Sequence, residues 1–304
     1  MHRPEQLKGV TMSPLVCSFS QNPADKTGEK GMTLVELLVS MTIGIILITL
    51  TFGFFSTQTN SLNENRQTAE MQQELRWAMQ YVSDHLRLAG NAAPSTSGWQ
   101  VIENFDGSGN ASDSLSVLGS YRSLVVNTTQ TMGNEGSQIK CSSVEGINEG
   151  DLIVISDGTF SELFMVTNIQ GDHLYHGASP PWNDTNKLLH SYTGGSTITS
   201  VSYYSFFIRT DDQGHPNLMV KTQAYPPQIL GGDIENFQIR FKMKSGSWQN
   251  TVAASEVYDI RQIEITLRAR SPQPLRNYLD PVYGDAYKRV ELKSMVIPKN
   301  LIVI

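Results

Sequence analysis

The chain has few cysteines, no excess of basic charge and none of the short motifs that mark a catalyst. Its 304 residues include only Cys17 and Cys141, too few for a disulfide framework. Its 23 Lys/Arg stand against 29 Asp/Glu, a formal charge of −6. That balance argues against general polyanion binding, and no nucleic acid partner is expected. No GxSxG, Walker loop or GxGxxG occurs, so neither catalytic activity nor a cofactor is expected. His85, His173, His176, His190 and His215 lack HExxH or Cys–His spacing and read as satisfied surface or loop side chains, with no metal assigned. Asp106, Ser108, Asn110, Ser112 and Asp113 alternate oxygen ligands, but the glycines at 107 and 109 break the calcium-loop order and no glutamate closes it. A flexible turn is the expectation there.

What the chain does hold is a run of 19 residues, Leu37 to Phe55, without a charge. As a helix it spans roughly 28 Å, enough to cross a bilayer. Glu36 stands at its edge, where an unpaired carboxylate drawn into lipid costs about 2 kcal/mol or more. Gly44 and Gly53 interrupt the run nine residues apart, so they form no GxxxG pair. Residues 1–31 are polar, carry Pro4, Pro14 and Pro23, and show no helical or strand period. Lys26 and Lys30 precede the apolar run, which orients it from inside to outside along the chain.

The string Lys30-Gly31-Met32-Thr33-Leu34-Val35-Glu36-Leu37 followed by this apolar helix resembles the prepilin signal of type IV pilins and type II secretion pseudopilins. The resemblance implies a membrane peptidase/methyltransferase that cuts after Gly31 and methylates the new N-terminus, Met32, with Glu36 as the fifth residue of the mature chain. Removal of residues 1–31 leaves 19 Lys/Arg against 26 Asp/Glu, and Cys141 as the sole cysteine. If Met32 becomes an amine within an apolar bundle, Glu36 is its natural counter-charge, within one helix or between staggered helices. Four further stretches, GSGNASDSLSV from Gly107, GDLIVISDG from Gly150, GGDIENFQIRF from Gly231 and YKRVELKSMVI from Tyr287, resemble the PilW-like minor pilins.

Ser56 to Leu88 contains no proline or glycine, and Leu75, Met79, Val82 and Leu86 fall at helical spacing, with Trp77 and Tyr81 widening the apolar stripe. The helix is expected to stop at Gly90-Asn91, ahead of Pro94. Beyond it, short β-branched runs punctuated by Gly, Asn and Asp indicate antiparallel hairpins. Strands are expected at 114–118, 124–127, 151–155, 161–169, 173–175, 196–210 (split near 200), 218–222, 234–243 and 257–270, with 287–297 as a last strand or an extended tail. Ile263, Ile265 and Leu267 alternate with Glu264, Thr266 and Arg268, the mark of a half-buried strand. The segment 177–189, with Pro180-Pro181-Trp182, is expected as a surface loop or one short turn of helix.

The expected fold is α+β, a pilin-like lollipop: leader 1–31, transmembrane and filament-core helix 32–55, amphipathic continuation 56–90, and a β-rich head 91–304. By resemblance the chain is a minor type IV pilin that primes assembly at or near the filament tip. The alternatives are a type II secretion pseudopilin of the J-like kind and a tip adhesion module. Implied partners are the prepilin peptidase/methyltransferase, other minor pilins, the major pilin, a tip adhesin and the inner membrane, with the head on the periplasmic side.

Overall fold

The computed structural model describes residues 31–92, 100–107, 109, 111–276 and 278–301. Residues 1–30, with Cys17 among them, and Ser108 and Asn110 lie outside these residues. The chain divides into two units, the first ending at Gln58 and the second beginning at Thr59.

Helix α1 covers Leu34–Leu88. In its first unit the apolar side chains are solvent-exposed, for example Leu47 at 59% and Ile48 at 70%. In the second unit Met71, Leu75, Ala78, Met79, Val82, Ser83 and Leu86 are buried, a stripe repeating every three to four residues. Trp77 departs from the expectation: it is 59% exposed, because at this position it points off the stripe set by Leu75, Ala78 and Met79. The helix ends where Gly90 takes φ +82°, a left-handed conformation that favours glycine. A side chain there would also collide with Leu301 at 2.6 Å.

Fifteen strands follow among the described residues: β1 (Ile102–Phe105), β2 (Ser114–Gly119), β3 (Val125–Asn127), β4 (Ile139–Lys140), β5 (Leu152–Ser156), β6 (Ser161–Met165), β7 (Asn168–Gln170), β8 (His173–Tyr175), β9 (Thr197–Thr210), β10 (Pro216–Thr222), β11 (Gln228–Gly231), β12 (Ile234–Met243), β13 (Trp248–Gln249), β14 (Ile260–Arg270) and β15 (Arg289–Val296). The largest sheet runs β1-β2-β9-β10-β11, with β3 and β5 paired to β9 and β6 to β5. A four-stranded sheet runs β13-β12-β14-β15 and a three-stranded one β4-β8-β7. Every ladder between these strands is antiparallel.

Strand β9 explains the layout. Its first part pairs with β3 and β5, and its second with β2 and β10. The expected split near residue 200 is absent, since Ser200 and Ser202 sit in continuous ladders and need no apolar neighbours to hold strand geometry. The run 161–169 is instead two strands: at the break Val166 N–H turns to the Asp151 carbonyl and Thr167 N–H to that of Tyr175. The run from Val257 opens with a 3₁₀ turn, Ala254–Asp259, and becomes a strand only at Ile260.

One core joins the second half of α1 to both larger sheets, with Leu75, Val82 and Leu86 in one cluster with Leu115, Phe206, Phe237, Ile239, Ile263, Ile265 and Leu267. Each such fully buried side chain contributes about 1.5–3 kcal/mol. The strict alternation in β14 is present: Ile263, Ile265 and Leu267 are buried and the residues between them partly exposed. A second core, including Val126, Ile139, Ile153, Phe164, Leu174, Tyr192 and Ile198, belongs to a lobe around β3–β8. Cys141 sits in it as a free, buried thiol, its pKa pushed up to about 12 by burial and then by the Asp172 charge. It is therefore a small core residue with little thiolate character.

Candidate processing and assembly site

The N-terminal segment is built from the capping chemistry of α1. Thr33 stands just before the first helical residue, Leu34, and Glu36 is the third residue of the helix. The Glu36 Oε2 accepts the Thr33 backbone N–H at 2.9 Å and the Thr33 hydroxyl at 3.0 Å. In return the Glu36 N–H donates to the Thr33 Oγ1 at 3.3 Å. This reciprocal pair is a capping box, which satisfies backbone donors that a helix start leaves unpaired. Weighing Glu36 only as a charge misses it, although the Thr-x-x-Glu spacing is its signature.

Gly31 and Met32 precede the cap and are outside the helix. Met32 is 64% exposed, and a side chain built at Gly31 would meet nothing within 4 Å. Glycine at 31 is therefore not demanded by the fold. The Met32 nitrogen is a peptide amide here, and the Glu36 carboxylate is engaged by Thr33.

Three threonines of the apolar run turn their hydroxyls onto the helix backbone. Thr42 donates to the Val39 carbonyl at 2.8 Å, Thr49 to Ile45 at 2.8 Å and Thr51 to Leu47 at 2.7 Å. Such back-bonding leaves these side chains with no unpaired donor to present to hydrocarbon. The helix is long and apolar enough to cross a membrane, with a mean hydropathy of 2.3 over its most apolar window.

The other sequence candidates are held inside the second unit. Asp113 is buried, and its two oxygens accept the N–H groups of Gly107 at 3.0 Å and Ile239 at 2.6 Å. It ties the 106–113 turn to β12, and burial raises its pKa against those bonds. A side chain at Gly107 would lie 2.6 Å from the carbonyl oxygens of Ala111 and Ser112, so the turn closes only on glycine. Each of the five histidines among the described residues has a partner. His85 Nδ1–H donates to the Tyr81 carbonyl at 2.7 Å, within rings of Tyr121, Tyr204 and Phe206. Burial lowers the His85 pKa. His176 Nε2 meets the Ser137 carbonyl at 3.0 Å, and His173, His190 and His215 sit beside Asp172, Asp157 and Asp233. No group of three or more His, Cys, Asp and Glu placed to hold a metal occurs among the described residues.

Residues 26–52 match the family model described as "Prokaryotic N-terminal methylation motif". The chain carries that motif. It covers Gly31, Met32, Thr33 and Glu36 and the first part of α1, and says nothing of the sheets. A comparison with curated proteins returned no match. Among solved structures the chain is similar to a type IV-like pilin from Thermus thermophilus, at 12% identity and a TM-score of 0.38, over 76% of this chain and 96% of that one. At that distance the likeness carries no assignment of role.

Proposed function

We propose that the chain is a pilin-like subunit of the minor, PilW-like kind, cut between Gly31 and Met32, methylated at Met32, and held in the inner membrane by the apolar part of α1 until it assembles. One observation carries the reading: the methylation motif at 26–52 coincides with an exposed Gly31–Met32 bond placed directly before the capped start of a helix of membrane-crossing length. A peptidase needs an accessible, extended bond, and a bond inside a helix would first have to unwind. Since the fold leaves room for any side chain at 31, a requirement for glycine belongs to the enzyme that reads it.

In this reading Glu36 has two successive tasks. Before cutting it caps the helix through Thr33. After cutting it faces a new positive amine four residues away, and pairing removes much of the cost of either charge in a low-dielectric bundle. The second unit, with its own core, is the head that meets other subunits, and its function is assembly at or near the filament tip rather than catalysis.

Intact-mass analysis of the chain extracted from its native membrane tests the processing step. The expected species begins at Met32 and carries one added methyl. A chain that still carries residues ahead of Met32 contradicts the proposal. Gly31→Ala is expected to be cut slowly and Gly31→Leu not at all.

A further inference from the structure

Charge is segregated along this chain. Residues 240–301 hold eleven Lys/Arg against six Asp/Glu, whereas residues 32–239 hold eight against twenty. An asymmetry of this size between parts of one chain points to a charged partner surface. The basic share is gathered on the four-stranded sheet. Along β12 and the turn that follows, Arg240, Lys242 and Lys244 alternate with the buried Phe241 and Met243, so all three point to the outer face. Trp248, across the turn on β13, has the Arg240 guanidinium 5.3 Å and the Lys242 ammonium 6.0 Å from its ring centre, which gathers two cations at one aromatic ring. Arg240 has Glu264 at 3.7 Å. Among the described residues neither Lys242 nor Lys244 has an acidic partner.

The acidic share peaks in the lobe. Residues 125–198 hold eight Asp/Glu against two Lys/Arg. The loop between β4 and β5 presents Glu145, Glu149 and Asp151 within seven residues. Glu145 and Glu149 are exposed and, among the described residues, without a cationic partner, while Asp151 has Arg122 at 3.8 Å. The lobe's core shares no residue with the core beneath the four-stranded sheet, so the two charged surfaces belong to separately packed parts of the head.

We infer that the basic β12–β13 hairpin docks the acidic β4–β5 loop of a second copy of this chain, head to tail. The inference rests on the assembly reading above and names the surfaces it uses. A contact between two different patches does not use them up in a pair, and it can repeat along a helical stack. Anchoring in one membrane raises the effective concentration of neighbours, so a weak contact suffices. Because the attraction is between exposed charges, salt weakens it.

The test is sedimentation of the full-length processed chain in detergent at about 0.05 M and about 0.5 M salt, with self-association expected to fall about tenfold or more between them. Lys242→Glu with Lys244→Glu, and separately Glu145→Lys with Glu149→Lys, should each abolish it. Mixing the two variants should restore association, since the acidic loop of the first meets the basic hairpin of the second and the two reversed patches also attract each other. Folding of each variant is checked by its unfolding midpoint. Wild type that stays monomeric at both salts, variants that associate as wild type does, or a mixture that stays monomeric would overturn the inference. So would a hairpin that binds heparin or single-stranded DNA in place of a second copy. In cells, Lys244→Cys combined with Glu149→Cys should yield disulfide-linked chains, dimers and longer, and none would contradict the docking. Mass analysis of the same samples keeps the two claims apart: an uncut wild-type chain sinks the processing reading, whereas a cut chain that does not associate sinks the docking alone.

Discussion

The two halves of α1 share one secondary structure and differ in what their apolar side chains meet. Between Leu34 and Phe55 the apolar residues point in all directions and are exposed. Between Met71 and Leu86 they form one buried stripe, with exposed Glu74, Arg76 and Asp84 on other faces. A helix that is apolar all round has no preferred partner face, and its natural surroundings are lipid or other such helices. A striped helix is committed to one core. The lesson is that backbone geometry does not divide the helix into anchor and spine; the angular distribution of its side chains does.

The largest expected effect breaks the buried half. Leu86 is fully buried, and Leu86→Ala should cost about 2–5 kcal/mol through lost contacts and a cavity. Leu47→Ala, in the exposed half, should leave the stability of the head unchanged. Urea unfolding followed by tryptophan fluorescence separates them, and equal effects would erase the distinction between the halves.

A smaller effect concerns acid. Burial lowers the His85 pKa, so the folded head prefers the neutral ring, while the unfolded chain takes up its proton near pH 6.5. The associated stability is present above that value and is lost as pH falls below it. Tyr81, Tyr121, Tyr204 and Phe206 surround the ring, with Asp84 the nearby charge opposing the shift. His85→Phe should flatten the slope of stability between pH 7 and 5. At lower pH the Arg289 side chain holds the Asp285 carboxylate down to about 2. That contribution is complete above about pH 4 and fades as pH falls toward 2.

The smallest effect is at the cap. Thr33→Ala should weaken the helix start by about 1 kcal/mol, read as about fivefold faster amide exchange over residues 34–37, with the head unaffected. Unchanged exchange would mean that the capping box does not hold the start of α1.

Much of this was legible from periodicity alone. The helix and the alternating β14 and β12 follow from side-chain spacing over enough residues to define a period. β4 and β13, with two residues each, have no period to read, and β11 follows the Pro226-Pro227 pair, which suggests a loop. The span of β9 is legible and its continuity is not, because serines interrupt its apolar pattern while pairing with strands from two parts of the head keeps it whole. Gly31, Met32 and Glu36 stand out by their string, but the capping box depends on reading Thr33 as an acceptor as well as a donor. The charge segregation disappears in a net value of −6, because a sum discards position.

The most direct measurement isolates the charge of Glu36 from its capping role. Glu36→Gln keeps a side-chain acceptor for Thr33 and removes the negative charge. Insertion and cutting should proceed normally, since the apolar run is intact and the Gly31–Met32 bond remains outside the helix. Assembly should fail, because the Met32 amine of the cut chain has no counter-charge. In cells holding equal amounts of cut Glu36→Gln and wild-type protein in the inner membrane, the account expects surface filaments and capture of partner subunits to fall sharply for the variant. Wild-type levels of both would contradict it and leave Glu36 as a helix cap alone.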